Sequence, residues 1–214
     1  MTQYLHHTVD GPAVAVDTTV FTISNGKLMV LMLKIKSGDY SGKWCLPGGL
    51  VALKESPEST AIRVLKDKTN IKSGYLEQLY TFGDPNRDSR GQVVSIAYLL
   101  LVRETVPFEL NASGNYVEID WQEVEKLPET AFDHKDIIAF AVTRLQSKLE
   151  YSNVAKVFLP ESFSKEDIVA VYEIILNKKL KAEAALGKML SSNVIVETGE
   201  GKYKFAKESI NYFD

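Results

Sequence analysis

Between Trp44 and Ile71 the chain carries the run that most limits its fold: a Pro47-Gly48-Gly49 corner, a short loop to Glu55, then Ser56-Pro57 opening a helix. Serine suits an N-cap because its hydroxyl accepts from a free backbone N–H, and proline suits the first helical position because its missing N–H would be unbonded there anyway. Ala61, Ile62, Leu65 and Thr69 recur at helical spacing and predict one face packed on a core. Val64 and Lys68 stand one turn apart and share a face, with Asp67 beside them. Arg63 is placed to fasten the loop that carries Glu55 through an ion pair.

Around this run the pattern is strand-rich. Ala13 to Ile23 and Lys27 to Lys36 are full of Val, Thr, Leu and Ile, and Ser24-Asn25-Gly26 between them reads as a hairpin turn. Tyr75 to Phe82 and Gln92 to Val102 are two further strands flanking the polar loop Gly83 to Gly91, and Tyr116 to Trp121 is another. Asp133 to Leu149 places Ile137, Ile138, Phe140, Ala141, Leu145 and Leu149 at helical intervals with Asp133 as the cap. The expected class is α+β, an α/β/α sandwich of helices around a mixed sheet.

A chain of 214 residues suits one domain of usual size and a small second one. Net charge −3 with 45% apolar residues describes a globular protein that is neither polyanionic nor strongly basic. Its single cysteine, Cys45, excludes an internal disulfide framework, fits a reducing compartment and reads as a buried inert thiol. The sequence shows no signal-peptide pattern and no apolar run of membrane-spanning length, so the expected location is the cytoplasm with no membrane partner. His6 and His7 fall in a segment expected to be loose.

After Arg144, the last arginine, Tyr151 to Pro160 reads as a connector and the rhythm changes. Ser164-Lys165-Glu166-Asp167 fits a capping box, and Ile168, Val171, Tyr172 and Ile175 supply a helix stripe. A turn at Asn177 to Leu180, a helix over Lys181 to Ser191, and strands at Val194 to Glu197 and Lys202 to Phe205 around Gly199-Glu200-Gly201 complete the pattern of a winged helix-turn-helix. The expected domains are therefore residues 1–153 and 154–214. From Val154 onward there are nine lysines, no arginine and nine acidic residues. Lys178, Lys179, Lys181, Lys188, Lys202 and Lys204 are the candidates for DNA phosphates; the alternative is a solvated lysine scatter on a dimerisation module.

The frame Gly49, Glu55, Arg63, Leu65, Ile71 resembles the Nudix box, Gly-x5-Glu-x7-Arg-Glu-U-x-Glu-Glu-x-Gly-U with U apolar. The three glutamates of its helix fall on Val64, Asp67 and Lys68, and its glycine on Asn70. The resemblance implies a magnesium-dependent phosphate-ester hydrolase site, where carboxylates and substrate phosphates share a hard cation. Three negative charges would stand where Val64, Asp67 and Lys68 together carry none, so hydrolysis is expected to be impaired. No cofactor is required on this reading; the residual positions are Glu55, Arg63 and Asp67, and Glu55 and Asp67 are the two carboxylates left for a weak Mg2+.

With the C-terminal unit, the stretches Tyr75 to Gly83, Arg87-Asp88-Ser89-Arg90-Gly91 and Ala131-Phe132-Asp133-His134 resemble the Nudix-related transcriptional regulators of bacteria, over about Val14 to Phe205. That resemblance implies a homodimeric regulator on double-stranded operator DNA, whose Nudix domain senses ADP-ribose or a related nucleotide-sugar or sugar. Arg87, Asp88, Arg90 and Glu55 are the candidate ligand contacts, since guanidinium forks match diphosphate oxygens. The alternative for the loop is that Asp88 and the arginines pair to hold it. The rival functions are an active hydrolase of ADP-ribose or a related nucleoside diphosphate with a C-terminal dimerisation domain, and a binding protein that has lost both activities. His134 is read as structural.

Overall fold

Val20 and Phe21 are neighbours in sequence and both fully buried, yet they pack into separate apolar clusters. Successive side chains of a strand point to opposite faces, so this strand is covered on both sides. In the computed structural model, which describes residues 11–103, 115–207 and 210, it is β1 (Ala13–Ser24). There follow β2 (Lys27–Ile35), β3 (Trp44–Cys45), β4 (Gly48–Leu50), α1 (Pro57–Thr69), β5 (Tyr75–Phe82), β6 (Val93–Leu101) and β7 (Tyr116–Glu123). α2 (His134–Tyr151) leads through a 3-10 turn at Val154–Phe158 to β8 (Phe163–Ser164), α3 (Lys165–Leu176), α4 (Ala182–Ser191), β9 (Ile195–Gly199) and β10 (Lys202–Phe205). His6 and His7, and the side chain of Lys188, lie outside the described residues.

The large sheet runs β3-β2-β1-β6-β5, with β4 pairing β1 and β7 pairing β2. β1 and β6 are parallel and the other pairs antiparallel, which makes the sheet mixed as expected. The β1–β2 turn has Asn25 at φ 50° and Gly26 at φ 71°, the left-handed pair that a tight two-residue hairpin requires. One face carries Phe21, Val30, Met32, Leu99 and Leu101 against Ile137, Ile138, Ala141 and Leu145 of α2. The other carries Val20, Leu31, Leu33 and Leu100 against Leu65 of α1. These are the three layers of the expected sandwich.

α1 begins and ends as its sequence dictates. The Ser56 hydroxyl accepts from Ser59 N at 3.1 Å, Pro57 occupies the first position, and Asn70 closes the helix at φ 57°. Asparagine is the residue after glycine that best tolerates this conformation, so Asn70 keeps the stop the motif glycine would make. The buried face is Thr60, Ala61, Val64, Leu65 and Thr69. Ile62, expected on that face, is exposed, because α1 is rotated to seat Val64 against the Gly49 backbone.

The C-terminal elements form as read, with the capping box present at Ser164 and Asp167, and Ile168, Val171, Tyr172 and Ile175 buried. β8 was not anticipated; it adds a third strand in the order β8-β10-β9. The stretch read as a connector is also more than a linker: Val154, Ala155 and Phe158 are buried in the same cluster as α2, α3, Leu186 and Phe205. One apolar core therefore runs across the residue 153/154 boundary. No helix among the described residues is long and apolar enough to cross a membrane.

Candidate functional site

β4 lies so close to β1 that a Cβ on Gly48 would stand 2.0 Å from Asp17 Oδ1. Only glycine fits there, and the approach places the Gly48-Gly49 corner on the floor of a cleft of about 810 Å³. Its walls come from β1, the loops before β3 and β6, the last turn of α1 and the start of α2, including Asp17, Tyr40, Lys68, Arg87, Arg90 and Tyr116.

A buried polar cluster holds these walls together. Arg87 donates through Nε and Nη2 to both carboxylate oxygens of Asp133, at 2.9 and 2.6 Å, and through Nη2 to Asp17 Oδ2 at 3.2 Å. Ser95 donates its hydroxyl to Asp17 Oδ2 at 2.6 Å. His134 Nδ1 accepts from the Leu46 backbone N–H at 2.8 Å, which leaves its other nitrogen to face Asp17 Oδ1 at 3.4 Å. Burial alone would raise the Asp17 carboxyl; His134, Ser95 and Arg87 outweigh it and hold that group below the ordinary carboxylate range.

This network relocates several expected residues. Asp133 does stand at the start of α2, but its side chain makes no capping bond, because Arg87 has claimed both oxygens. Arg87 lines the cleft but its side chain is only 3% exposed and doubly paired with carboxylates, the structural alternative for that loop. Asp88 accepts from Arg90 Nε and Nη2 at 2.9 and 2.7 Å, and that pairing lowers its carboxyl's pKa. Arg90 keeps an exposed side chain over the Phe132 and Tyr40 rings, 5.0 and 5.8 Å from their centroids, at the cleft wall. His134, expected to be structural, is buried, accepts from the Leu46 backbone N–H and also lines the cleft. Asp17, the hub, went unmarked in the sequence; its signal was a lone carboxylate inside the β-branched run of β1.

The remaining motif carboxylates lie elsewhere. Arg63 closes a fork on Glu55, Nε to Oε1 and Nη2 to Oε2 both at 2.8 Å, and reaches Leu50 O at 3.3 Å. Thr60 Oγ1 donates to Glu55 at 2.8 Å. Arg63 first, then Thr60, draw the Glu55 carboxyl down to about 2. Glu55 therefore fastens its loop, the role proposed for Arg63, and it does not line the cleft. Asp67 is exposed and off the cleft as well. Among the described residues no group of three or more His, Cys, Asp or Glu side chains is arranged to hold a metal ion. The donor set thus does not fit the divalent cation of a phosphate-ester hydrolase. Cys45 is buried, and desolvation pushes its thiol up to about 12, which disfavours the thiolate.

Lys68 enters the cleft from the last turn of α1. Its ammonium donates to the Gly48 carbonyl at 2.5 Å and to the Tyr116 hydroxyl at 2.6 Å, 4.6 Å from the Tyr116 ring centroid. Burial lowers its pKa.

Of the lysines in the C-terminal unit, Lys178, Lys179, Lys181, Lys202 and Lys204 are exposed, and Lys179 pairs with Glu173 at 2.8 Å.

Known proteins match both halves of this architecture. The model of the NUDIX domain matches residues 13–140. The "ADPR responsive transcriptional repressor NtrR" of Acinetobacter baylyi is 30% identical over 99% of this chain and 89% of that protein. Shewanella oneidensis NrtR, crystallised with a 27mer DNA, superposes with TM-score 0.74 at 28% identity, over 90% of this chain and 92% of that one. The NUDIX domain of the same Shewanella protein, crystallised with ADP ribose, superposes with TM-score 0.60 at 31% identity, over 68% of this chain and 99% of that one. The chain belongs to the NUDIX family and, within it, to the Nudix-related transcriptional regulators.

Proposed function

We propose that this chain is a homodimeric transcriptional regulator whose cleft binds ADP-ribose and whose C-terminal unit binds operator DNA. The observation that carries the reading is likeness over 90% of this chain to a Shewanella oneidensis protein crystallised with a 27mer DNA. The donor set of the cleft supports it from the other side: Glu55 is tied to Arg63 and Asp67 faces away, so the motif helix offers no carboxylates for hydrolytic metal chemistry. Residues 1–153 act as the sensing domain and 154–214 as the winged helix-turn-helix.

α2 is suited to couple the two. Its first turn holds His134 at the cleft, while near its far end Gln146 donates to Ile175 O of α3 at 2.9 Å and Tyr172 of α3 donates to Leu149 O at 3.4 Å. A ligand that prefers one orientation of α2 therefore shifts α3, and with it the helix and hairpin that approach DNA.

Gel shifts with duplexes from the gene's own upstream region, against random duplex of equal length, test the DNA half, and light scattering tests the dimer. A two-fold dimer is expected to select a palindrome with half-sites about one helical turn, or a multiple, apart. No preference over random DNA would reduce the C-terminal unit to a dimerisation module.

A further inference from the structure

Of the cations that line the cleft, Arg87 is paired with Asp133 and Asp17, and Arg90 with Asp88. Lys68 differs. The described residues place a backbone carbonyl and a phenol on its ammonium and no carboxylate within ion-pair distance, although the group is half-buried at the cleft floor. An ammonium carries three donors, and two are assigned to neutral acceptors. A charge held in this way has its orientation fixed but its counter-ion still to come. It also stands at the motif position where a glutamate would face the cation.

We propose that Lys68 stands in for the divalent cation of a complete Nudix box, binding the diphosphate oxygens of the ligand directly, so that ligand recognition is independent of metal. The inference rests on the proposed cleft ligand only for its diphosphate. Its physical content is charge replacement: a metal ion bridges protein oxygens to phosphate oxygens, and here a tethered ammonium bonds a protein carbonyl and offers its positive charge to the same anion. An ammonium binds phosphate as a point charge without the strict coordination geometry that magnesium demands. Binding is retained and the Lewis acid that activates water is lost, in keeping with the motif glutamates replaced at Val64, Asp67 and Lys68.

The test uses the full chain with two probes. In EDTA, inorganic pyrophosphate and, in parallel, ADP-ribose are titrated by calorimetry into the unmodified chain and Lys68→Met. Pyrophosphate is expected to bind the unmodified chain without metal and to lose about 10- to 100-fold in affinity in Lys68→Met, the size of one charge-assisted contact. Lys68→Arg, which keeps the positive charge, is expected to retain more of the pyrophosphate affinity than Lys68→Met, a charge effect that loss of a structural contact would not produce. Equal pyrophosphate affinity in Lys68→Met, no pyrophosphate binding to the unmodified chain in EDTA, or a folded Lys68→Arg that binds pyrophosphate no better than Lys68→Met would each overturn the proposal. Lys68-dependent pyrophosphate binding without ADP-ribose binding would uphold it and remove ADP-ribose as effector. Thermal melts report whether each variant folds; if both fail to, metal-free binding by the unmodified chain decides.

Discussion

Arg87 and Arg90 are three residues apart on one loop, yet the structure gives them opposite duties. The Arg87 guanidinium is buried between Asp17 and Asp133, so Arg87→Ala leaves two carboxylates without their cation and is expected to destabilise the fold by about 3–5 kcal/mol. Arg90 has a 59% exposed side chain, so Arg90→Ala is expected to change stability by less than about 1 kcal/mol while weakening ADP-ribose binding at the cleft. Chemical denaturation and calorimetry on both variants separate the two effects. Asp17 adds a pH dependence. Its carboxyl is depressed in the fold relative to an unfolded value near about 3.9, so the unfolded chain takes up the proton first as pH falls. The stabilisation is complete above that unfolded value and lost as pH drops through the folded one. Asp17→Asn is expected to lower stability at neutral pH and to flatten the acid limb of the melting-temperature profile; an unchanged acid limb would remove Asp17 from this role. Spacing alone marked the Arg87 loop as charged and glycine-flanked but could not show which carboxylates, Asp17 and Asp133 far along the chain, would reach it.

At the scale of elements, periodicity located β1, β2, β5, β6, β7 and both C-terminal helices to within about two residues, because apolar alternation and capping are local signals. The pieces it missed are set by long-range contact. β3 and β8 are two residues each and exist only through their partners β2 and β10. The turn at Val154–Phe158 is buried by α2 and α3, which a connector-like composition did not reveal. Core continuity across that turn has a measurable consequence. Leu145→Ala, at a fully buried position on α2, is expected to cost about 2–5 kcal/mol and to shift the whole chain in one transition. Tryptophan fluorescence reports the sandwich through Trp44 and Trp121, and circular dichroism reports all helices; non-coincident curves would show two independently unfolding domains.

For the whole molecule, the family, the sandwich and the replaced motif glutamates were legible because the Gly49 to Ile71 frame is specific; the proposed exchange of a metal for an ammonium needed the Gly48 and Tyr116 contacts of Lys68. Release of phosphate-containing products from ADP-ribose is expected to stay at background with Mg2+ or Mn2+; turnover of roughly 1 per second or faster would restore the hydrolase reading. DNA binding is expected to be weak for its class, since lysines alone face acidic residues of equal number from Val154 onward. With four to six lysines near phosphates the log-log salt slope should be about −4 to −5. Lys181→Ala should make it shallower, and a slope unchanged by that substitution would move the DNA face elsewhere. Regulation by ligand requires linkage between the two ends of α2. The most direct measurement is fluorescence anisotropy of a labelled upstream duplex titrated with the full chain at fixed low salt, in EDTA, with and without saturating ADP-ribose. The expected result is sequence-preferring binding whose dissociation constant moves by about 5- to 150-fold with the ligand, matched by an equal change in ADP-ribose affinity when DNA is bound. Identical curves with and without ADP-ribose would contradict it.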